Sequence, residues 1–189
     1  MYFRYGAEIV CKGEKKMLED IRGKIRDIPD FPKKGIVFRD ITTLIKDGPA
    51  FREVIDYFYD QFKGDKIDYV AAIESRGYIF GAPLAYKLGA GLVIIRKPGK
   101  LPAEVERAEY ALEYGTDALE IHKDAVEAGK KVLIIDDLLA TGGTVTAAAE
   151  LVARLGGKVA GLAFMIELAG LGGRDRLPAA DKVIAMLSY

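Results

Sequence analysis

The sequence predicts an α/β fold, a doubly wound and mostly parallel sheet, on three observations. Short apolar runs rich in β-branched residues recur at Tyr69–Ile73, Gly91–Ile95 and residues 131–135, and runs this apolar belong to strands buried on both faces. Between them lie stretches with apolar residues at helical spacing. The chain has no repeat, low-complexity segment or break in composition, and its 189 residues, 50% hydrophobic and 30% charged, suffice for one well-buried domain.

The elements follow in order. From Met17 an amphipathic helix begins, with Leu18, Ile21 and Ile25 on one face. Asp47-Gly48-Pro49 starts the next helix, and Phe51, Val54, Ile55, Phe58, Tyr59 and Phe62 follow as a core stripe, the aromatic cofactor box being the sharper alternative. The strand at 69–73 leads through a helix over residues 77–88 to the strand at 91–95. Residues 97–111 are polar, charged and long for a connection, the composition of a lid. A hairpin is expected next, pairing residues 111–112 with 119–121. The strand at 131–135 passes through a glycine-rich turn into a helix over residues 144–155, and residues 159–166 and 183–187 supply two more strands.

Composition narrows the partners. Lys+Arg and Asp+Glu both total 28, so no global basic field points to nucleic acid, and small molecules are the expected ligands. A single cysteine, Cys11, excludes an intramolecular disulfide, and with a single histidine, His122, it argues against structural zinc. Cysteine usage points to the cytoplasm. Met1-Tyr2-Phe3-Arg4-Tyr5-Gly6 lacks the apolar run of a signal peptide, and no stretch approaches the roughly twenty apolar residues that span a bilayer.

The chemistry concentrates at Ile134-Ile135-Asp136-Asp137-Leu138-Leu139-Ala140-Thr141-Gly142-Gly143-Thr144. A buried strand ends in two carboxylates, and a small, glycine-rich turn opens a helix. Backbone N–H groups at a helix N-terminus lack internal partners, so a phosphate can dock where Ala140, Gly142 and Gly143 allow close approach, helped by the Thr141 and Thr144 hydroxyls. Asp136 and Asp137 instead suit vicinal hydroxyls. A sugar phosphate satisfies both halves. No Lys precedes Thr144 as a Walker loop requires, and G-x-G-x-x-G is absent. The plainer alternative is a tight connection whose aspartates cap the helix. Open parallel sheets bind ligands at their carboxyl ends, which brings Glu74-Ser75-Arg76-Gly77, Arg96-Lys97 and Asp136-Asp137 to one rim.

Four further stretches stand in order: Ile28-Pro29-Asp30-Phe31-Pro32 through Gly35-Ile36-Val37-Phe38-Arg39-Asp40, Glu74-Ser75-Arg76-Gly77-Tyr78, Arg96-Lys97-Pro98-Gly99-Lys100-Leu101-Pro102, and Leu112-Glu113-Tyr114-Gly115. With them and Leu119-Glu120-Ile121-His122, the chain from about Met17 to Tyr189 resembles the type I phosphoribosyltransferases, and their adenine-specific branch fits best. Tyr78 stands for a commoner Phe, and Ala111 for a usually polar residue. Residues 1–16 fit nothing in that pattern and are expected to be a non-native or disordered extension, with 17–189 a single domain and Met17 a possible native start.

The resemblance implies transfer of the 5-phosphoribosyl group from 5-phosphoribosyl 1-diphosphate to adenine, giving AMP and diphosphate, on the type I fold with a flexible hood loop. It assigns the ribose hydroxyls to Asp136 and Asp137, and the 5′-phosphate to Ala140, Thr141, Gly142, Gly143 and Thr144. Pyrophosphate falls to Glu74, Ser75, Arg76 and Gly77, with Lys97 and Lys100 in or near the hood. Glu113 is the implied catalytic acid near N7 of the purine. Adenine is assigned to the backbone at Val37 and Arg39, with Phe38 close by and Leu138 on a ring face. Mg²⁺ is implied, held through substrate oxygens and water with no direct protein ligand. A homodimer is expected, with neither nucleic acid nor membrane as partner. A purine-responsive regulator would need a DNA-binding appendage, for which residues 1–30 are too short; guanine, xanthine or hypoxanthine as the base is the remaining alternative. His122 alternates with apolar residues and is expected to face outward or make a local contact.

Overall fold

The computed structural model describes residues 2–5, 8–111 and 116–189, with side chains described over 13–110 and 116–189. It divides into two compact units, Met1–Tyr57 and Phe58–Tyr189.

In the first unit, β1 (Tyr2–Tyr5) and β2 (Glu8–Cys11) pair antiparallel. Helix α1 (Lys12–Arg22) follows, with Leu18 and Ile21 buried and Ile25 buried just beyond its end. It begins at Lys12 rather than Met17, since Glu14 and the lysines around it are good helix formers and an acid in the first turn suits the dipole. Strands β3 (Arg26–Pro29) and β4 (Val37–Asp40) form a two-stranded ribbon with Ile28 opposite Phe38. The Phe31 and Phe38 rings meet edge to face at 5.3 Å. After the short helix α2 (Thr42–Ile45), α3 (Gly48–Phe62) starts where Asp47 Oδ1 accepts the Ala50 N–H at 3.2 Å. Val54, Ile55, Phe58 and Phe62 are buried, as a core stripe requires.

The second unit holds β5 (Tyr69–Ile73), α4 (Glu74–Leu88), β6 (Gly91–Ile95), β7 (Val105–Ala111), β8 (Thr116–His122), β9 (Lys131–Leu139), α5 (Gly143–Arg154), β10 (Lys158–Glu167), two 3-10 turns (Ala169–Leu171 and Gly173–Arg176) and β11 (Lys182–Ser188). Five strands form one all-parallel sheet in the order β11-β10-β9-β5-β6. Ala72 and Ile135 face α4 at Gly81, while Ala71, Ile73 and Ile134 share a core with α5 and the β7–β8 hairpin. The sheet is therefore doubly wound. At the outer edge, Leu92 and Ile94 of β6 are partly exposed, and Tyr86 of α4 is 88% exposed.

The connections run outward in opposite directions from β5 and β9, which makes their junction the switch point. Pairing between them ends at Ala72 and Ile135, whereas β9 continues beside β10 with Asp136 opposite Phe164 and Leu139 opposite Glu167. A crevice opens there.

Three expectations are corrected. The strand at 131–135 continues to Leu139, because pairing with β10 outweighs the poor strand propensity of two aspartates. Residues 97–111 are not one long lid: 105–111 form β7, whose Ala108 is buried while neighbouring charges face outward. The hairpin register also differs, with Ala111 opposite Thr116 and Leu119 opposite Ala108, so that Leu119 and Ile121 point into the core.

Asp40 holds the first unit's ribbon to α2. Its carboxylate accepts from the Thr42 N–H at 2.9 Å and from Arg26 Nε at 3.0 Å, and bonding to Thr42 and Arg26 lowers its pKa to about 2. Its stabilisation is present above the ordinary value of 3.8 and is lost as pH falls through about 2. Asp40→Asn should cost about 1–3 kcal/mol in urea unfolding at neutral pH. That deficit should shrink as the pH approaches the folded value.

Candidate active site

The crevice between β5 and β9 widens into a cavity of about 590 Å³. It lies at the carboxyl ends of the strands, where each element leaves the sheet and its polar groups face one space. Glu74, Ser75 and Arg76 line one side from the start of α4, and Asp136, Asp137 and Leu138 line the other from the end of β9. Ala140, Thr141, Gly142 and Thr144 close the floor, and Lys97 comes from the loop after β6.

The turn after β9 is shaped for an anion. Gly142 is the N-cap of α5 with φ +86°, a conformation that disfavours a side chain. No side chain caps that helix, so the aspartates do not serve as caps, and Gly142, Thr144 and Val145 at its start line the cavity. The Thr146 hydroxyl turns back to the Gly142 carbonyl at 2.8 Å.

The two aspartates crowd negative charge into a poorly solvated place. Burial pushes the Asp136 carboxyl well above the usual carboxylate range, and the neighbouring Asp137 charge adds to it. Asp137 is raised by burial too, against the pull of Arg76, whose Nε lies 2.6 Å from Asp137 Oδ2. Asp136 Oδ1 accepts the Asp137 N–H at 2.8 Å, which turns its carboxyl along the strand.

Across the cavity, Glu74 adopts φ +44°, a left-handed conformation that costs a non-glycine residue about 1 kcal/mol or more. Its carboxylate accepts the Lys97 N–H and lies 3.9 Å from Arg96 Nε, so the strained turn is fixed from its side chain. Tyr78 donates its hydroxyl to the Ile95 carbonyl at 2.9 Å, tying α4 to the end of β6, and burial pushes its pKa up to about 12. A Phe at that position would lack this tie. The following loop is anchored where Gly99 N–H meets Glu120 Oε2 at 2.9 Å.

Lys97 Nζ pairs with Asp117 Oδ2 at 3.0 Å, and that bond lowers the Asp117 pKa and raises that of Lys97. Tyr110, opposite Asp117 in the hairpin, brings its hydroxyl within 3.3 Å of the same oxygen. Sequence reasoning missed both residues, although both line the cavity. Their alternation with Ala108 and Leu119 was a usable signal only once the register was known.

Other assigned residues stand elsewhere. Residues 74–77 form the first turn of α4, not a free loop, because the helix starts directly after β5. Gly77 is buried there, facing the Ile135 carbonyl and the Asp136 carboxylate rather than the cavity. Gly143 opens α5 without lining the cavity, and Lys100 lies exposed on the loop beyond Gly99. Val37, Phe38 and Arg39 belong to β4 of the first unit, where Arg39 pairs with Asp27. Glu113, with Leu112, Tyr114 and Gly115, lies outside the described residues. His122 sits opposite Val105, half-buried, with Nε2 shielded from solvent and away from the cavity. Among the described residues no cluster of three or more His, Cys, Asp or Glu could hold a metal ion, and no helix is long and apolar enough to cross a membrane.

A family model described as the phosphoribosyl transferase domain matches residues 42–185. The adenine phosphoribosyltransferase of Acaryochloris marina is 61% identical over 170 residues, covering 90% of this chain and 99% of that protein. The crystal structure of adenine phosphoribosyltransferase from Thermoanaerobacter pseudethanolicus superposes with a TM-score of 0.88 at 55% identity, covering 91% of this chain and 99% of that one. The Saccharomyces cerevisiae enzyme, complexed with an imino-altritol bisphosphate and adenine, gives 0.87 at 40% identity over 92% and 99% of the two chains.

The raised aspartate has a sign that calorimetry can read. A folded protein that keeps a proton the unfolded chain releases has its extra stability below 3.8 and loses it as pH rises through the raised folded pKa. Asp136→Asn removes that loss. Its melting temperature should exceed that of the parent by a margin that widens as pH rises from 3.8 through the raised folded value. A margin independent of pH would refute the buried-charge account.

Proposed function

The chain belongs to the phosphoribosyltransferase family, among the adenine phosphoribosyltransferases, and we propose that its crevice carries the transfer of the 5-phosphoribosyl group from 5-phosphoribosyl 1-diphosphate to adenine. The products are AMP and diphosphate. One observation carries the assignment of the groups: two carboxylates, a glycine-bearing helix start and the cations Arg76 and Lys97 converge on one cavity.

Each group has a task set by its chemistry. Ala140, Thr141, Gly142, Gly143 and Thr144 hold the 5′-phosphate with N–H and hydroxyl donors. Asp136 and Asp137 accept from the ribose hydroxyls, which fixes the sugar while C1 loses its leaving group. Glu74, Ser75, Arg76 and Gly77 form the pyrophosphate end, with Lys97 and Lys100 delivered from the neighbouring loop. The C1–O bond to diphosphate breaks as N9 of adenine bonds to C1, and positive character grows on the ring in between. Cations held on the leaving group stabilise that separation of charge.

Base chemistry is proposed for Glu113: as N9 bonds to C1 the purine must lose its ring proton, and the Glu113 carboxylate takes that proton from N7, so that no positive charge is left on the base. Leu138 lines the cavity and offers an apolar surface to a ring. The backbone at Val37 and Arg39, with Phe38 beside them, reads the amino-substituted edge. Mg²⁺ is proposed as well, held through substrate oxygens and water with no direct protein ligand, where it would neutralise charge on the leaving group. The enzyme is proposed to work in the cytoplasm as a homodimer, which the partly exposed Leu92 and Ile94 beside Tyr86 support.

Radiolabelled adenine should be converted to AMP only with the sugar diphosphate and Mg²⁺ present, and chelation should stop it. A higher kcat/KM for guanine, xanthine or hypoxanthine would overturn the choice of base. Glu113→Gln should lower kcat by about 10²–10⁴ with adenine KM changed only a few fold. Unaltered kcat would remove Glu113 from the reaction.

A further inference from the structure

The loop proposed to hold the 5′-phosphate is packed from behind by a segment that does not line the cavity. After β10 the chain turns back through Gly173–Arg176, and Gly173 is buried against the loop. A Cβ on Gly173 would overlap the Ala140 carbonyl oxygen, and would stand 2.9 Å from the Ala140 carbonyl carbon and 3.1 Å from the Gly142 nitrogen. The approach is reciprocal, for a Cβ on Gly142 would stand 2.9 Å from the Gly173 oxygen. Two backbones pass in contact with no side chain between them.

The segment is itself fixed. Arg174 Nε reaches both oxygens of Glu167, at 2.9 and 3.0 Å, and Glu167 is 7% exposed at the end of β10. Leu168 N–H bonds the Leu139 carbonyl at 2.9 Å, so the return turn starts in register with the strand that feeds the loop. The Thr146 hydroxyl lies 2.8 Å from the Gly142 oxygen and 3.3 Å from the Arg176 oxygen, spanning loop and segment.

From this geometry we infer that Gly173 is a positioning residue for the 5′-phosphate, acting through the backbone of residues 140–142. The inference rests on the assignment of the 5′-phosphate to that loop. A loop with adjacent glycines has much conformational freedom to lose on binding. A rigid backbone packed behind it removes that freedom beforehand and keeps the N–H groups aimed at the anion. The residues proposed for the diphosphate end belong to α4 and the loop after β6, not to the loop that Gly173 packs against, so the two ends of the substrate should respond differently.

The test is Gly173→Ala, with Thr146→Val as a milder second variant, measured by calorimetric titration with AMP, ribose 5-phosphate and magnesium diphosphate and by steady-state kinetics. Gly173→Ala should weaken AMP and ribose 5-phosphate about tenfold or more and raise the KM of the sugar diphosphate similarly. Magnesium diphosphate affinity should stay within about twofold and kcat within about threefold, since the interaction lost is with a non-reacting group. Thr146→Val should shift AMP in the same direction by about threefold. Equal losses for AMP and diphosphate, or unchanged AMP affinity, would overturn the inference. If Gly173→Ala does not fold, Thr146→Val decides, and unchanged AMP affinity there overturns it. Failure of the parent protein to bind ribose 5-phosphate would instead overturn the assignment of the loop.

Discussion

Everything at the site follows from where two neighbouring strands stop pairing. β5 and β9 hold each other as far as Ala72 and Ile135, and then β5 gives way to α4 while β9 runs on beside β10. A strand that loses one neighbour presents unpaired backbone and alternating side chains to whatever lies next to it. Here that is the first turn of α4, so Asp137 meets Arg76 across the gap. The crevice is thus a by-product of winding helices onto both faces of a parallel sheet.

The same place stores unfavourable energy. Asp136 and Asp137 are held together with too little water, and Glu74 keeps a backbone conformation that an ordinary helix start would avoid. Each feature costs stability, and each lies among the groups proposed to hold the ribose and the diphosphate. Such local conflict is common where binding groups are prearranged, because the cost is met by packing elsewhere. In the second unit that packing is the core shared by β5, β6, β9, β10, α5 and the hairpin.

The chain announces its sheet clearly, since Tyr69–Ile73 and Gly91–Ile95 are short apolar runs and both are found as strands with those bounds, although only the first is buried: β6 is an edge strand that exposes Leu92 and Ile94. That the two aspartates and the following turn stand together was also legible, since both follow one apolar run, and the structure sets them on one cavity. Long-range pairing was not. Asp136 and Asp137 read as the end of a strand until β10 is known to run alongside them. Tyr110 and Asp117 look like solvated hairpin residues until the register turns them toward Lys97. The passage between the two compact units falls inside the continuous helix α3, where an unbroken amphipathic stripe gives composition nothing to report. Gly173 is similarly silent, because a close approach between segments thirty residues apart, as Thr146 and Arg176 are, leaves no local pattern.

The pairing of Lys97 with Asp117 changes what an incoming anion encounters. On the proposed assignment of diphosphate to Lys97, the anion would have to exchange with the Asp117 carboxylate, which would be left to solvent and the Tyr110 hydroxyl. The net attraction is therefore smaller than a bare lysine would offer. Under the same proposal, Asp117 would give the ammonium a partner to return to once the leaving group departs.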